Sequence, residues 1–289
     1  MKLFRHGEMG AERPGVWTED RGHLDLSGFT ADFDEAFFAD GGVASLRDWL
    51  RDGPNQADGC PPVDPSVARF GAPVARPSKI VGVGLNYRDH AAETGSKLPS
   101  EPKVFMKATS AMCGVRDAVV LPRGSEHTDY EVELAIVIGK RARYLDAEQA
   151  IDHIAGYTIC IDYSEREWQK NRSGQFVKGK SSDTFAPMGP YLTPADEIDP
   201  SDLRLRLAVN GEPRQDSTTA EMIFDVPTIV ASISEYMTLL PGDVITTGTP
   251  AGVGLGYDPP KFLREGDVVE YSIEGIGEGR QVVVPYGPD

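Results

Sequence analysis

The stretch TDYEVELAIVIGK, residues 128–140, limits what this chain can fold into more than any other segment. It reads as a buried strand, yet Glu131 and Glu133 stand among Val, Leu, Ile and Ala. Successive strand side chains alternate faces at about 3.3 Å per residue, which puts the two carboxylates on one face, roughly 7 Å apart. Val132, Leu134, Ile136 and Ile138 then pack behind them. Two ionised carboxylates this close in a low-dielectric wall repel by several kcal/mol unless something compensates. A shared proton, a Lys or Arg, or a divalent cation would each serve. An edge strand whose polar face meets water would need none of them.

A second apolar stretch, GYTICIDYSEREWQ, also ends in an acid. Asp162 closes a strand there, and Ser164 with Glu167 has the spacing of a capping box that would open a helix. A strand end is a place where a carboxylate can point into a cavity. Two strand carboxylates and one strand-end carboxylate make an all-oxygen site suited to Mg²⁺, Mn²⁺ or Ca²⁺ rather than zinc. Three acids leave about three octahedral positions for water and substrate, an open catalytic arrangement.

Elsewhere short strands dominate. KIVGVGL is apolar and bounded by turns; LRLRLAV (203–209) alternates strictly and meets Asn210–Gly211, a hairpin signal. DVITTG and DVVEYSIEGIGEGRQVVV continue the pattern, the latter as another hairpin. Helices are fewer: VASLRDWLRDG, DAEQAIDHI (146–154) and DVPTIVASISEYMTL (225–239), the last with Asp225 as N-cap and Pro227 in its first turn. Strands without regular intervening helices point to an α+β, mainly β fold with a largely antiparallel body. GCPPVDPSVARFGAPVARPSK reads as a linker. It divides the chain into a small N-terminal domain with its Pro-rich linker, 1–72, and a β-rich catalytic domain, 73–289.

The 289 residues carry 45 acidic against 29 basic side chains, a net charge of −16 that repels nucleic acid and anionic lipid. No run approaches the roughly 20 apolar residues of a membrane span, and the N-terminus has no signal-peptide core. A cytoplasmic protein with neither nucleic-acid nor membrane partner is expected. Cys60, Cys113 and Cys160 never form C-x-x-C, which argues against a disulfide framework and a zinc site. GVG at 82–84 lacks the third glycine of a dinucleotide fingerprint, and no phosphate-binding P-loop occurs.

VGLNYRDHAAETG (83–95), TDYEVELAIVIGK (128–140), IDYSEREWQ (161–169), FVKGKSSDTFAPMGP (176–190) and PGDVITTGTPAGVG (241–254) together resemble the fumarylacetoacetate hydrolase family, in the family's order over most of 79–289. The preceding residues resemble a small N-terminal α/β domain found in one bacterial branch. The resemblance implies a mixed β-sandwich or roll with few helices, a homodimer, and a metal at the mouth held by Glu131, Glu133 and Asp162. Mg²⁺ or Mn²⁺ is implied, with Ca²⁺ fitting the same donors in a crystal. It places a water-activating dyad on His90 and Glu93, which are helix neighbours at a spacing of three, in a lid followed by AETGSKLPSEP. Lys180 matches the lysine that meets a developing enolate, with Lys178 as a competitor for that role. Lys107, Arg166, Gln169 and Thr249 match positions lining the substrate cleft.

The activity implied is hydrolysis of a C–C bond in a 2,4-diketo acid, an acylpyruvate or diketo-deoxy-sugar acid, to pyruvate and a second acid. The substrate would be a small 2-oxo or diketo anion, attracted by a local cluster of metal, Lys107, Arg166 and Lys180. The same family also includes oxaloacetate decarboxylases, 2-hydroxymuconate-type isomerases, deoxy-sugar-acid dehydratases and proteins labelled ureidoglycolate lyases. A different class, a non-catalytic metal- or 2-oxo-acid-binding protein, would need the three acids but not His90 and Glu93. Tyr163 is bulkier than the family's usual small aliphatic, and KNRSG (170–174) departs from glycine-richer relatives; both bear on the substrate.

Overall fold

The computed structural model describes residues 1–52 and 59–287. Gly53, the end of the expected VASLRDWLRDG helix, lies outside the described residues; the rest forms the helix Gly42–Asp52. The architecture is α+β and mainly β. Among the described residues an eleven-stranded mixed sheet runs in the order Gly22–Asp25, Arg13–Thr18, Lys2–His6, Ala186–Pro194, Ile154–Ile161, Val132–Ile138, Val244–Thr246, Ile80–Gly84, Lys103–Lys107. Phe70–Gly71 and Met112–Gly114 attach to it beside Lys2–His6 and Ala186–Pro194. A five-stranded sheet follows the order Glu212–Thr218, Arg204–Val209, Val268–Ile273, Gly277–Val284, Val119–Val120.

Val132–Ile138 lies inside the large sheet with all seven residues buried. A strand covered on both faces needs a near-continuous apolar run, which its sequence supplies except at Glu133. Its neighbour Ile154–Ile161 pairs antiparallel, with Val132 opposite Ile161 and Glu133 opposite Cys160. The body is less uniformly antiparallel than its sequence suggests. Val244–Thr246 with Ile80–Gly84, Met112–Gly114 with Ala186–Pro194, and Val119–Val120 with Gly277–Val284 pair in parallel. Each pair joins segments far apart in the chain, the long connection that parallel pairing requires.

Local signals are realised where they are strongest. Asn210 and Gly211 adopt φ of 54° and 75°, the left-handed pair of a tight hairpin turn, between Arg204–Val209 and Glu212–Thr218. Asp225 caps Val226–Tyr236 by accepting from the Thr228 N–H at 3.0 Å. Asp146 and Gln149 form a reciprocal capping box on Ala147–Ala150. The segment expected as a linker is packed only in its second half, since none of residues 59–68 is buried. Phe70, Ala72, Val74 and Ala75 are buried, and Arg69 joins Glu12 (2.8 Å) to Asp117 (2.7 Å). Its prolines stiffen a chain that apolar and ionic contacts hold down. Among the described residues no helix is long and apolar enough to cross a membrane.

Ile136→Ala, which empties a fully buried position of this central strand, is expected to cost about 2–5 kcal/mol in urea unfolding. Asp225→Ala removes one cap and should cost about 1 kcal/mol.

Candidate active site

Strand register assembles the acids. Glu131 precedes Val132–Ile138 and Asp162 follows Ile154–Ile161, so extending the ladder by one step sets Asp162 opposite Glu131; the Asp162 N–H donates to the Glu131 carbonyl at 2.8 Å. Directly opposed residues share a face, so Glu131, Glu133 and Asp162 converge. One carboxylate oxygen from each lies within 4.8 Å of the others, and all three residues are buried.

The expected capping box at Ser164 does not form. The Ser164 hydroxyl donates to the Asp162 carbonyl at 2.9 Å, and Ser164–Glu165 pairs with Thr128–Asp129 as a short ladder. Continued strand pairing holds Ser164 in the wrong conformation to cap the helical turn Glu167–Asn171. Arg166 sits where ladder meets turn, so its side chain is directed at the acids. Its guanidinium contacts Glu131 (2.6 Å) and Asp129 (Nε 2.8 Å), and its Nη1 donates to the Gln169 Oε1 at 3.0 Å.

Lys180 ends the helix Phe176–Lys180 and donates to Glu131 and Asp162, both at 2.5 Å. Residues two apart on a helix are about 200° apart. Lys178 accordingly points outward, to the Ser173 hydroxyl (2.7 Å) and Arg172 carbonyl (3.3 Å). Gly179 permits the approach, because a Cβ there would lie 2.5 Å from the Glu165 carbonyl.

Of the ten residues singled out in the sequence, eight line one cleft of about 210 Å³: His90, Glu131, Glu133, Asp162, Arg166, Gln169, Lys180 and Thr249. Glu93 stands behind His90, its Oε2 3.1 Å from Nδ1, on the helix Arg88–Glu93. That helix is anchored by Asp89 accepting from the Ser217 hydroxyl (2.7 Å) and by Arg88 donating to the Met222 carbonyl (2.7 Å). Lys107 does not reach the cleft wall. Its fully buried ammonium is drawn behind Asp162, which it contacts along with the Tyr163 carbonyl (3.3 Å). The Thr249 hydroxyl is engaged by the scaffold, accepting from Gln215 (2.8 Å) and donating to the Val132 carbonyl (3.0 Å). Tyr163 faces away from the cleft: its hydroxyl donates to the Gln281 Oε1 at 3.1 Å, so its bulk does not shape the substrate space. Val83, Leu85, Phe105, Phe176, Val253 and Leu255 form the apolar wall.

The charges are unevenly compensated. Burial would raise Glu131, but Arg166 and Lys180 outweigh it and hold this carboxyl well below the usual glutamate range. Burial would strip the proton from Lys180, which Asp162 and Glu131 hold in place. Asp162 is met by Lys107 as well as Lys180. Glu133 accepts the Gly248 N–H at 2.8 Å, but among the described residues no Lys or Arg forms an ion pair with it. Burial, with the charges of Asp162 and Glu131, pushes its carboxyl well above the ordinary range. An all-oxygen triad with one uncompensated buried carboxylate is short of positive charge at its centre, which fits a hard divalent cation.

Sequence reasoning missed Asp129. It is fully buried, and besides Arg166 it accepts the Gly254 and Leu255 N–H groups at 2.6 and 3.0 Å. The signal was present: Asp129, Glu131 and Glu133 alternate along one stretch, D-x-E-x-E.

This mainly β protein brings three buried acids, two inward cations and a His–Glu pair together at one small cleft. Residues 79–284 match the family model described as fumarylacetoacetate (FAA) hydrolase, C-terminal, and the chain belongs to the fumarylacetoacetate hydrolase family. A Burkholderia multivorans protein, provisionally named a hydrolase, is 46% identical over 291 residues, 98% of each chain. The maleylpyruvate hydrolase of Sphingobium sp. SYK-6, solved with manganese(II) and pyruvate, has a TM-score of 0.80 at 30% identity, over 99% of this chain and 100% of that one. The 5-carboxymethyl-2-hydroxymuconate delta-isomerase of Mycobacterium smegmatis has a TM-score of 0.77 at 34% identity, over 100% of both chains.

A glutamate whose folded pKa is raised contributes stability below its unfolded value, about 4.3, and loses it as pH rises through the folded value. Chelator-treated protein should therefore melt lower as pH rises above that unfolded value, and Glu133→Gln should flatten that decline. A divalent ion at a hundred times its Kd should stabilise the parent by about 2.7 kcal/mol. The same addition should leave the variant's melting temperature nearly unmoved.

Proposed function

We propose that the protein is a Mg²⁺- or Mn²⁺-dependent hydrolase that cleaves a C–C bond in small 2,4-diketo acids, giving pyruvate and a second acid. The observation carrying this reading is that the acid triad and His90, backed by Glu93, face the same cleft. The manganese and pyruvate bound by the Sphingobium relative support the choice of cation and product.

Glu131, Glu133 and Asp162 would hold the ion, which supplies Lewis-acid polarisation of a 2-oxo group. Glu93 accepts from the His90 Nδ1, fixing the tautomer whose Nε2 lone pair can take a proton from water. The hydroxide so formed adds to the distal carbonyl carbon. When the adjoining C–C bond breaks, its electron pair passes into the pyruvate enolate, whose charge the Lys180 ammonium would help to balance. The proton then returns to the enolate carbon. Arg166 and the Gln169 side-chain amide offer donors to the substrate carboxylate, and the apolar wall takes its acyl group. Lys107 acts at one remove, by orienting Asp162.

An isomerase reading is favoured by one observation, the likeness to the Mycobacterium smegmatis delta-isomerase. Product analysis separates the two: hydrolysis yields two acids, isomerisation one product of unchanged mass. With Mg²⁺ or Mn²⁺, the protein should consume the 2,4-diketo absorbance of an acylpyruvate and release pyruvate, and chelation should stop it. His90→Ala should lower kcat roughly a hundred- to ten-thousand-fold with little change in melting temperature. Equal slow rates in parent and variant would favour a binding protein.

A further inference from the structure

The glycines at 252, 254 and 256 are each pressed against a neighbour, and two of those neighbours are carboxylates. A Cβ on Gly254 would stand 2.3 Å from the Lys261 carbonyl and 2.6 Å from the Asp129 Oδ1, and one on Gly256 would stand 2.6 Å from the Glu93 carboxylate. Gly252, at φ +101°, would strike the Arg214 carbonyl at 1.9 Å. The loop's N–H groups point to the same two acids: Gly252 donates to the Glu93 Oε1 at 2.9 Å, Gly254 and Leu255 to Asp129 at 2.6 and 3.0 Å. Asp129 also accepts from the Tyr130 N–H (2.9 Å) and from Arg166. Side chains at 253 and 255 line the cleft.

The geometry points to Asp129 as a positioning residue for both halves of the site. Its carboxylate orients Arg166 directly, and through the 252–256 loop it sets the place of Glu93 and so of His90. This rests on the role proposed above for His90 and Glu93. Fully buried, Asp129 balances one side of a guanidinium whose other side meets Glu131, and its remaining acceptor capacity fastens the loop. Buried charge-assisted hydrogen bonds of this kind are strong because no water competes. The spacing G-x-G-x-G has a steric cause. Every second residue must bring bare backbone against a neighbour, while the residues between turn side chains to the cleft.

Asp129→Asn keeps shape but turns one acceptor into a donor facing N–H groups. With Mg²⁺ and acetylpyruvate it should raise KM through Arg166 and lower kcat through Glu93, about tenfold to a hundredfold in kcat/KM. Gly256→Ala, whose added methyl would meet the Glu93 carboxylate first, should lower kcat with KM unchanged. In the double variant with Glu93→Gln, the kcat losses should not multiply; full multiplication would overturn the link. Amide hydrogen exchange gives a readout independent of turnover. Asp129→Asn should speed exchange in both 252–256 and 88–94 while 132–138 stays protected, and faster exchange confined to 252–256 would sink the proposal. Should Asp129→Asn fail to fold, Gly256→Ala decides alone, since unchanged kcat and unchanged exchange at 88–94 contradict it. If the parent turns over no acylpyruvate, the hydrolase reading fails while the exchange experiment still tests the loop.

Discussion

Like charges held together out of water govern this structure. Glu131, Glu133 and Asp162 are buried within 4.8 Å of one another, a cluster that would spread apart on any flexible support. Antiparallel register between two central strands prevents that, since shifting it by one residue would send the set to the opposite face. The flanking apolar residues therefore do two things at once. They bury the strands, and they fix the positions of groups that electrostatics would separate.

Around this core a chain of net charge −16 concentrates positive side chains where its acids converge. Lys107, Arg166 and Lys180 are each buried, a costly placement unless paired. Each meets an acid of the triad, yet none forms an ion pair with Glu133 among the described residues. The imbalance is local and directional: the cations gather on Glu131 and Asp162 and leave Glu133 uncompensated. The His90–Glu93 pair approaches from a separate helix, and backbone N–H groups of one glycine-spaced loop tie it to the side of the cleft that Asp129 and Arg166 occupy.

The parts of this arrangement that are local in the chain were legible in the sequence. The Glu131–Glu133 alternation, the Asn210–Gly211 hairpin and the Asp225 cap depend on neighbours within a few residues, and they read correctly. Ser164 and Glu167 had the spacing of a cap but not the conformation, because pairing with Thr128–Asp129 took precedence. Lys107 and Tyr163 looked as if they could face the substrate; which way a side chain points at a strand end depends on partners such as Asp162 and Gln281, contributed by other segments. Asp129 was passed over because its importance lies in contacts 37 and 125 residues away. The Pro-rich stretch looked loose because composition does not reveal that Arg69 will find Glu12 and Asp117.

The pairing of Lys2–His6 with Ala186–Pro194 carries a consequence for how such chains can diverge. The first residues of the chain cover the part of the Ala186–Pro194 flank beyond Met112–Gly114, where N–H and C=O groups would otherwise be free to recruit a strand from another molecule. A descendant that discarded this leading segment would have to shield the same flank by other means, for instance a bulge, a charged lysine or a second subunit. Gain or loss of the N-terminal segment would then be bound up with self-association and solubility, although it lies outside the cleft.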